Sequence, residues 1–179
     1  MIGPNLLLRA PEPSDVDVIF RWENDTRIWH LSNTITPFSR FAIEQFVLNT
    51  SNDIYETKQL RLMVDLHSSA SGMITIGSID LFDFDPFHKR AGIGILIDEA
   101  YRKKGFATEA LQLLLDYCFN TLRLHQVFCN IEKTNLDSIH LFTKAGFLQC
   151  GHKKDWLLRD GMWSDELMFQ LVRGMVNGE

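Results

Sequence analysis

The chain has 179 residues, 45% of them apolar and 23% charged, with a formal net charge of −5 at pH 7. This is the size and composition of one globular domain with a full core, so a single domain over 1–179 is expected. The acidic balance argues against a general nucleic-acid binder, and no apolar run reads as a signal segment or a membrane span.

Cys118, Cys129 and Cys150 are odd in number and widely spaced, with no C-x-x-C pair and no zinc pattern. No metal is expected. Free thiols suit a reducing cytosol, so the expected location is cytoplasmic.

Leu6-Leu7-Leu8-Arg9 reads as a short first strand ended by Pro11 and Pro13. Ser14 is a candidate helix cap, with Asp15 and Asp17 in the first turn and Val16, Ile19 and Phe20 at helical spacing. Pro37 and Ser39 precede a second helix carrying Phe38, Phe41, Ala42, Phe46 and Val47. Leu60 to Leu66 alternates with period two and reads as a strand. Ser68-Ser69-Ala70-Ser71-Gly72 separates it from a second strand, Met73 to Phe82. Asp83 to Pro86 reads as a turn, and Arg90 to Ile97 as the next strand.

Thr108 to Thr121 follows as a long helix. Its Ala107, Ala110, Leu111, Leu114, Leu115, Cys118 and Leu122 make a broad apolar face, which implies burial against the sheet and an inert Cys118. Val127 to Glu132 is a short strand, and Asp137 to Ala145 a short helix closed by Gly146. The chain ends in a hairpin, Phe147 to Leu158 and Met162 to Val172, turning at Arg159-Asp160-Gly161. Trp156 and Trp163 are expected to face each other across it, or nearly so.

Tyr101-Arg102-Lys103-Lys104-Gly105-Phe106-Ala107-Thr108 joins the Arg90 to Ile97 strand to the long helix. A strand, a basic glycine turn and a helix start are the parts of a phosphate site. The first helical N–H groups lack intrahelical partners, and Gly105 permits positive φ or a close backbone approach. The alternative is a solvated basic face. No P-loop run is present. Gly92 and Gly94 begin G-x-G inside the apolar strand, where nothing completes a dinucleotide fingerprint.

Asn135-Leu136-Asp137-Ser138-Ile139-His140-Leu141-Phe142-Thr143-Lys144-Ala145-Gly146-Phe147 reads, taken alone, as a capped amphipathic helix with a glycine stop. Together with R-K-K-G-F-A, however, it resembles the GCN5-related N-acetyltransferase superfamily. R-K-K-G-F-A is similar to that family's acetyl-CoA turn. N-L-D-S-I-H-L-F-T-K-A-G-F is similar to its late segment. The early L-R and Trp22-Glu23-Asn24-Asp25 resemble the ribosomal-protein N-terminal acetyltransferase branch and the spermidine acetyltransferases. The resemblance covers essentially the whole chain. It implies a mixed α/β fold, a central twisted sheet flanked by helices, with a splay near Gly92 to Ile97.

The resemblance also implies roles. The backbone of Arg102, Lys103, Lys104, Gly105, Phe106 and Ala107, with the N–H of Thr108, would cradle the pyrophosphate of acetyl-CoA. Backbone groups of Ile95 and Ile97 would pair with the pantetheine arm. Asn135 would contact the cofactor or fix its loop, and Ser138 would lie beside the coenzyme arm. Where many members carry a tyrosine that protonates the leaving thiolate, this chain has Phe142, which has no donor. Water or Ser138 would replace it as the acid.

The implied reaction is attack of an amine on the thioester. Alkyl amines are mostly protonated at pH 7, so a base must take a proton, directly or through water. Candidate carboxylates are Glu23, Asp80, Asp83 and Glu132, while Asp83 and Asp85 alternatively shape the turn before Pro86. In this family the first two helical segments cover the acceptor cleft, here carrying Trp22, Trp29, His30, Phe38 and Phe41. His30 reads as a proton relay or as an ordinary surface or core histidine. The expected acceptor is a protein N-terminal amine or a small polyamine such as spermidine, with a homodimer as a further possibility. Two alternatives remain: an inert acyl-CoA-binding protein, suggested by Phe142, and a structural domain without cofactor.

Overall fold

The computed structural model describes residues 1–29, 34–49, 53–68 and 72–174. His30 and Ser69, Ala70 and Ser71 lie outside the described residues.

Seven strands form one mixed sheet. They are β1 (Leu6–Arg9), β2 (Leu60–Ser68), β3 (Gly72–Asp85), β4 (Arg90–Ile97), β5 (Gln126–Glu132), β6 (Leu148–Arg159) and β7 (Met162–Val172), in the spatial order β1-β2-β3-β4-β5-β7-β6. Neighbours are antiparallel except β4 and β5. The described helices of eight or more residues are α1 (Val16–Glu23), α2 (Arg40–Asn49), α3 (Phe106–Asp116) and α4 (Leu136–Lys144).

The chain divides into two compact units, Met1–Arg9 with Ile54–Glu179, and Ala10–Asp53. In the smaller unit α1 packs with α2. Val16, Ile19 and Trp22 of α1 are buried, as are Ile43 and Val47 of α2. Phe41 and Phe38 are exposed, at 68% and 40%. Ser14 is not the cap. Pro13 begins a short 3₁₀ turn, which a proline starts well because its missing N–H is one of the unpaired ones anyway. Buried Asp15 accepts instead, from the Glu12 N–H at 2.7 Å.

The larger unit holds the sheet. Ile79 and Leu81 of β3, Ile93 of β4, Val127, Cys129 and Ile131 of β5, and Phe169 and Leu171 of β7 share one core with Leu111, Leu114 and Cys118 of the helix behind them. Burial pushes the Cys118 thiol up to about 12, which leaves it inert. The helical stretch begins at Phe106, two residues before expectation, and widens into a π-type turn over Tyr117–Thr121. Glu109 in its first turn accepts from the backbone N–H of Asn5 and Leu6 at 2.8 and 3.0 Å, tying β1 to α3.

Two turn expectations are corrected. β3 runs on to Asp85, with Asp83 at φ 48 inside an irregularity of the β3–β4 pairing, and the chain turns at 86–89 instead. In the final hairpin Trp163 lies opposite Leu158, not Trp156. Residues between Lys153 and Leu157 bulge out, because Asp165 accepts from the Asp155 N–H at 3.1 Å and fixes the extra residues there. Trp156 instead lies beneath the Lys153 ammonium, 5.1 Å from its ring centre.

Candidate active site

β4 and β5 pair at only three positions, Arg90 with Gln126, Ala91 with Val127, and Gly92 with Phe128. Past Gly92 the two strands part, while β4 stays paired with β3 to Ile97. A parallel pair that opens this way leaves backbone N–H and C=O groups of both strands without a ladder partner. Ile95 and Ile97, the expected pantetheine contacts, lie on the opened length of β4.

The parting has a sequence cause. Side chains alternate across a strand, so Asp80, Phe82, Gly92, Gly94, Phe128, Asn130 and Glu132 share the face opposite the core. Phe82 and Phe128 meet edge to face across β4, with ring centres 5.7 Å apart. Only glycine fits beneath them, because a Cβ on Gly92 would stand 2.2 to 2.7 Å from Phe82 ring carbons. A Cβ on Gly94 would meet nothing nearer than 4.0 Å. The G-x-G of the sequence is therefore a bare strip along β4, closed by rings at one end and open at the other.

At the open end β4 leads into the basic turn. Lys103 has φ 60 and Gly105 φ 87, so the backbone curls through the left-handed region twice before α3 starts. A Cβ on Gly105 would touch nothing within 4 Å, so the glycine is there for its φ rather than for a close contact. No side chain caps α3. Its first unpaired N–H groups, at Phe106, Ala107 and Thr108, sit in a left-handed turn that suits an anion. The basic side chains brace the turn: Arg102 Nε donates to the Ile97 carbonyl at 2.8 Å, and Lys104 Nζ to the Ala100 carbonyl at 2.8 Å.

α4 begins beside the end of β5. Asn135 caps it, its Oδ1 accepting from the Ser138 N–H at 3.2 Å. The helix closes at Gly146, φ 94, with the Gly146 and Phe147 N–H groups donating to the Thr143 and Phe142 carbonyls. Ser138 is half-buried. Phe142 is turned into the core, 3% exposed and edge to face with Phe147.

Two of the four candidate carboxylates, Asp80 and Glu132, are held by cations. Asp80 accepts from Arg61 Nε and Nη2 at 2.7 and 3.2 Å. Glu132 accepts from Arg159 Nε at 3.4 Å. Burial raises the Glu132 pKa, but hydrogen bonds from Ser164, Arg159 and Thr134 and the Arg159 charge outweigh it, leaving the carboxyl below its ordinary value. Next to it Glu166, buried and in register with Glu132, accepts from Lys153 Nζ at 2.5 Å. Arg61, Arg159 and Lys153 were not singled out from sequence. Alternation along each strand marks the face of a residue, but no local signal reveals a partner across the sheet. Of the other candidates, Asp83 lies at the far end of β3. Glu23, in the smaller unit, receives the Trp29 Nε1–H on its backbone carbonyl at 2.8 Å.

A mixed sheet with this splay and turn defines the GNAT-like acetyltransferase fold. The family model described as an acetyltransferase (GNAT) domain matches residues 5–148, and the chain belongs to that family. It is 30% identical to the uncharacterized N-acetyltransferase p20 of Bacillus licheniformis over 94% of this chain and 93% of the relative. It is 26% identical to a spermidine N(1)-acetyltransferase of Vibrio cholerae, over 92% of this chain and 91% of that one. A crystal structure of the Vibrio cholerae spermidine N-acetyltransferase with CoA and spermine superposes with TM-score 0.85 at 24% identity, covering 97% of this chain and 99% of that chain. A dodecameric structure of that enzyme gives TM-score 0.76 at 23% identity, covering 98% of each chain.

Among the described residues no helix is long and apolar enough to cross a membrane, and no group of three or more His, Cys, Asp or Glu side chains could hold a metal ion.

Proposed function

We propose that this chain, as a single domain over 1–179, transfers the acetyl group of acetyl-CoA to a primary amine, either a protein N-terminal amine or a small polyamine such as spermidine. The observation that carries the reading is the parting of β4 from β5 after Gly92, on the strand that leads, through a 3₁₀ turn and the basic turn, to an uncapped helix start. The left-handed turn at Lys103 and Gly105 fits a diphosphate, because it leaves space for the anion and turns backbone donors toward it.

In this proposal the backbone from Arg102 to Thr108 holds the pyrophosphate, and Ile95 and Ile97 hold the pantetheine arm. The Ile97 carbonyl already accepts from Arg102, so Ile97 would contribute its N–H. Asn135 fixes the start of α4 and places Ser138 beside the arm. Phe142 supports α4 from within the core. When bound, acetyl-CoA supplies the acyl thioester that the amine attacks.

Asp80 and Glu132 are both taken up in ion pairs, and the lowered pKa of Glu132 makes that carboxylate a weak proton acceptor. Proton removal is therefore assigned to water oriented by Asp80 or Glu132. Ser138 or water delivers the proton to the departing sulfur. The larger part of the rate comes from holding amine and thioester together.

A cytoplasmic location fits the free thiols. Membership of the ribosomal-protein acetyltransferase branch fits the early Trp22-Glu23-Asn24-Asp25 run. Self-association is the proposed cover for the last hairpin, where Trp156, Leu158, Met162 and Trp163 are all more than half exposed.

The test is thiol release from acetyl-CoA with a panel of primary amines. Release above the amine-free rate is expected with at least one α-amine or polyamine. Tight acetyl-CoA binding without release by any amine would favour an inert acyl-CoA-binding protein instead.

A further inference from the structure

Beyond the Phe82–Phe128 pair, away from the coenzyme turn, lies a cleft of about 840 Å³ that no role above uses. It sits where β4 and β5 are still paired, at Arg90 and Gln126, and where Phe128 lies opposite Gln170 of β7. Its volume falls in the range of ordinary ligand sites. All of its lining residues belong to the larger unit.

The chemistry of the lining is specific. Two acidic side chains, Asp83 and Asp85, are matched by two basic ones, Lys58 and Arg90. Asp85 is fully engaged, accepting from the Phe87 and His88 N–H groups at 3.0 and 2.9 Å and from Arg90 at 3.3 Å. Gln126 and Gln170 are half-buried, and neither side-chain amide is held by another described residue. Each amide offers two donors and an acceptor. Phe128 and Met168 supply apolar surface between them, and Phe87 stands 84% exposed on the rim.

Resting on the acetyltransferase reading above, we infer that this cleft binds the peptide chain that follows the reactive amine, so that the acceptor is an extended peptide N-terminus rather than a polyamine. Free amides beside apolar surface match the alternating N–H, C=O and side chains of an extended peptide. They offer nothing particular to a polycation. A polyamine carries several positive charges and gains most from unpaired carboxylates. Here Lys58 offsets the one cleft carboxylate that no described residue pairs, Asp83, and the carboxylates on the same sheet face nearer the splay, Asp80, Glu132 and Glu166, are each bound to Arg61, Arg159 or Lys153.

The lengths also agree. The Phe82 and Phe128 rings standing over Gly92 form a sill that the peptide crosses, and four residues of β4 separate Gly94, on the bare strip beside the splay, from Arg90 at the cleft. At about 3.3 Å per residue that is roughly 13 Å, which three to four extended peptide residues span.

The experiment compares kcat/KM for a hexapeptide with a free N-terminus, the amide of its first residue alone, and spermidine, all with acetyl-CoA. The hexapeptide is expected to exceed the single-residue amide by roughly tenfold, the size of one or two good hydrogen bonds. Gln170→Ala should bring the ratio of hexapeptide to amide down toward one, mainly by raising KM for the hexapeptide. Phe87→Ser, at an exposed position where the fold is not at stake, should lower the same ratio. Equal rates for hexapeptide and amide, a ratio unmoved by both variants, or a preference for spermidine would overturn the inference while leaving amine acetylation intact. Failure of every amine to release thiol would overturn the acetyltransferase reading and this inference with it.

Discussion

The ring of Phe82 occupies the place where Gly92 would carry a side chain. Ring carbons lie 2.2 to 2.7 Å from an ideal Cβ there, and the ring is held edge-on by Phe128. Two residues on, a Cβ on Gly94 would come no nearer than 4.0 Å to any neighbour, there the far edge of the same ring. The two glycines look alike in sequence and differ in what surrounds them.

Gly92→Ala should therefore destabilise the fold by about 1–3 kcal/mol, the usual cost of overpacking a filled site. Gly94→Ala should stay within about 0.5 kcal/mol of wild type, as surface changes do. Its effect should appear as a raised KM for the amine, because its methyl projects into the strip beside the splay. Urea unfolding and steady-state kinetics on both variants check this. Equal stability loss in the two variants would contradict the assignment of the strip.

Gly105→Asp should weaken acetyl-CoA binding roughly tenfold or more, about 1.4 kcal/mol. It places a negative charge where the diphosphate is proposed and puts a side chain on a residue at φ 87. Gly105→Ala separates the two causes, since it adds only the backbone strain of about 1–2 kcal/mol. Arg102→Ala should cost stability of about 1 kcal/mol, because its Nε holds the Ile97 carbonyl. Its effect on affinity should be smaller than that of Gly105→Asp, as the backbone donors remain. Calorimetry on the folded variants decides. Unchanged affinity in Gly105→Asp would remove the turn from the site.

Phe142→Tyr would restore the phenol that many relatives carry, but Phe142 is 3% exposed and packed against Phe147. A hydroxyl added there has no evident partner and should cost about 1–3 kcal/mol. The expected result is a lower Tm with no gain in kcat, whereas Ser138→Ala should lower kcat and shift its pH profile. A rise in kcat for Phe142→Tyr across pH would show that the phenol does reach the sulfur.

Asp165 gathers the His152 ring, the Asp155 N–H and the Lys133 ammonium at 2.7, 3.1 and 3.1 Å. The His152 hydrogen bond first, then the other two, holds its carboxyl well below the usual carboxylate range. A carboxyl with a lowered folded-state pKa adds stability that is complete above its unfolded value, about 3.9 for aspartate. That stability is lost as the pH falls through the folded-state value. Asp165→Asn should thus lower Tm at pH 5, and its gap to wild type should close steadily below about pH 4. A gap constant down to pH 2 would mean that the charge on Asp165 contributes nothing.

Much of the fold was legible in the sequence because its signals are local. Period-two alternation at Leu60 to Leu66, the apolar face from Ala107 to Cys118, and Gly146 after a capped helix each act within a few residues. They appear where expected. The basic glycine turn was legible for the same reason, since a left-handed residue before a helix start is a property of one short segment. Local signals also misled where neighbours compete. Ser14 is a better cap than Glu12 by residue preference, yet Pro13 starts the turn one residue earlier and Asp15 takes the capping bond.

What only the tertiary structure decided is what each side chain meets across the sheet. Sequence marks Asp80 and Glu132 as carboxylates near the end of a strand. It does not say that Arg61, 19 residues before Asp80, and Arg159, 27 residues after Glu132, hold them as ion pairs. Nor does it distinguish Gly92 under a ring from Gly94 at the ring's far edge, or turn Phe142 inward. These outcomes depend on strand order and register, which bring together residues that no local pattern connects. The helix-starting turn needs only its own backbone, while the charge and shape of the acceptor side are properties of the assembled sheet.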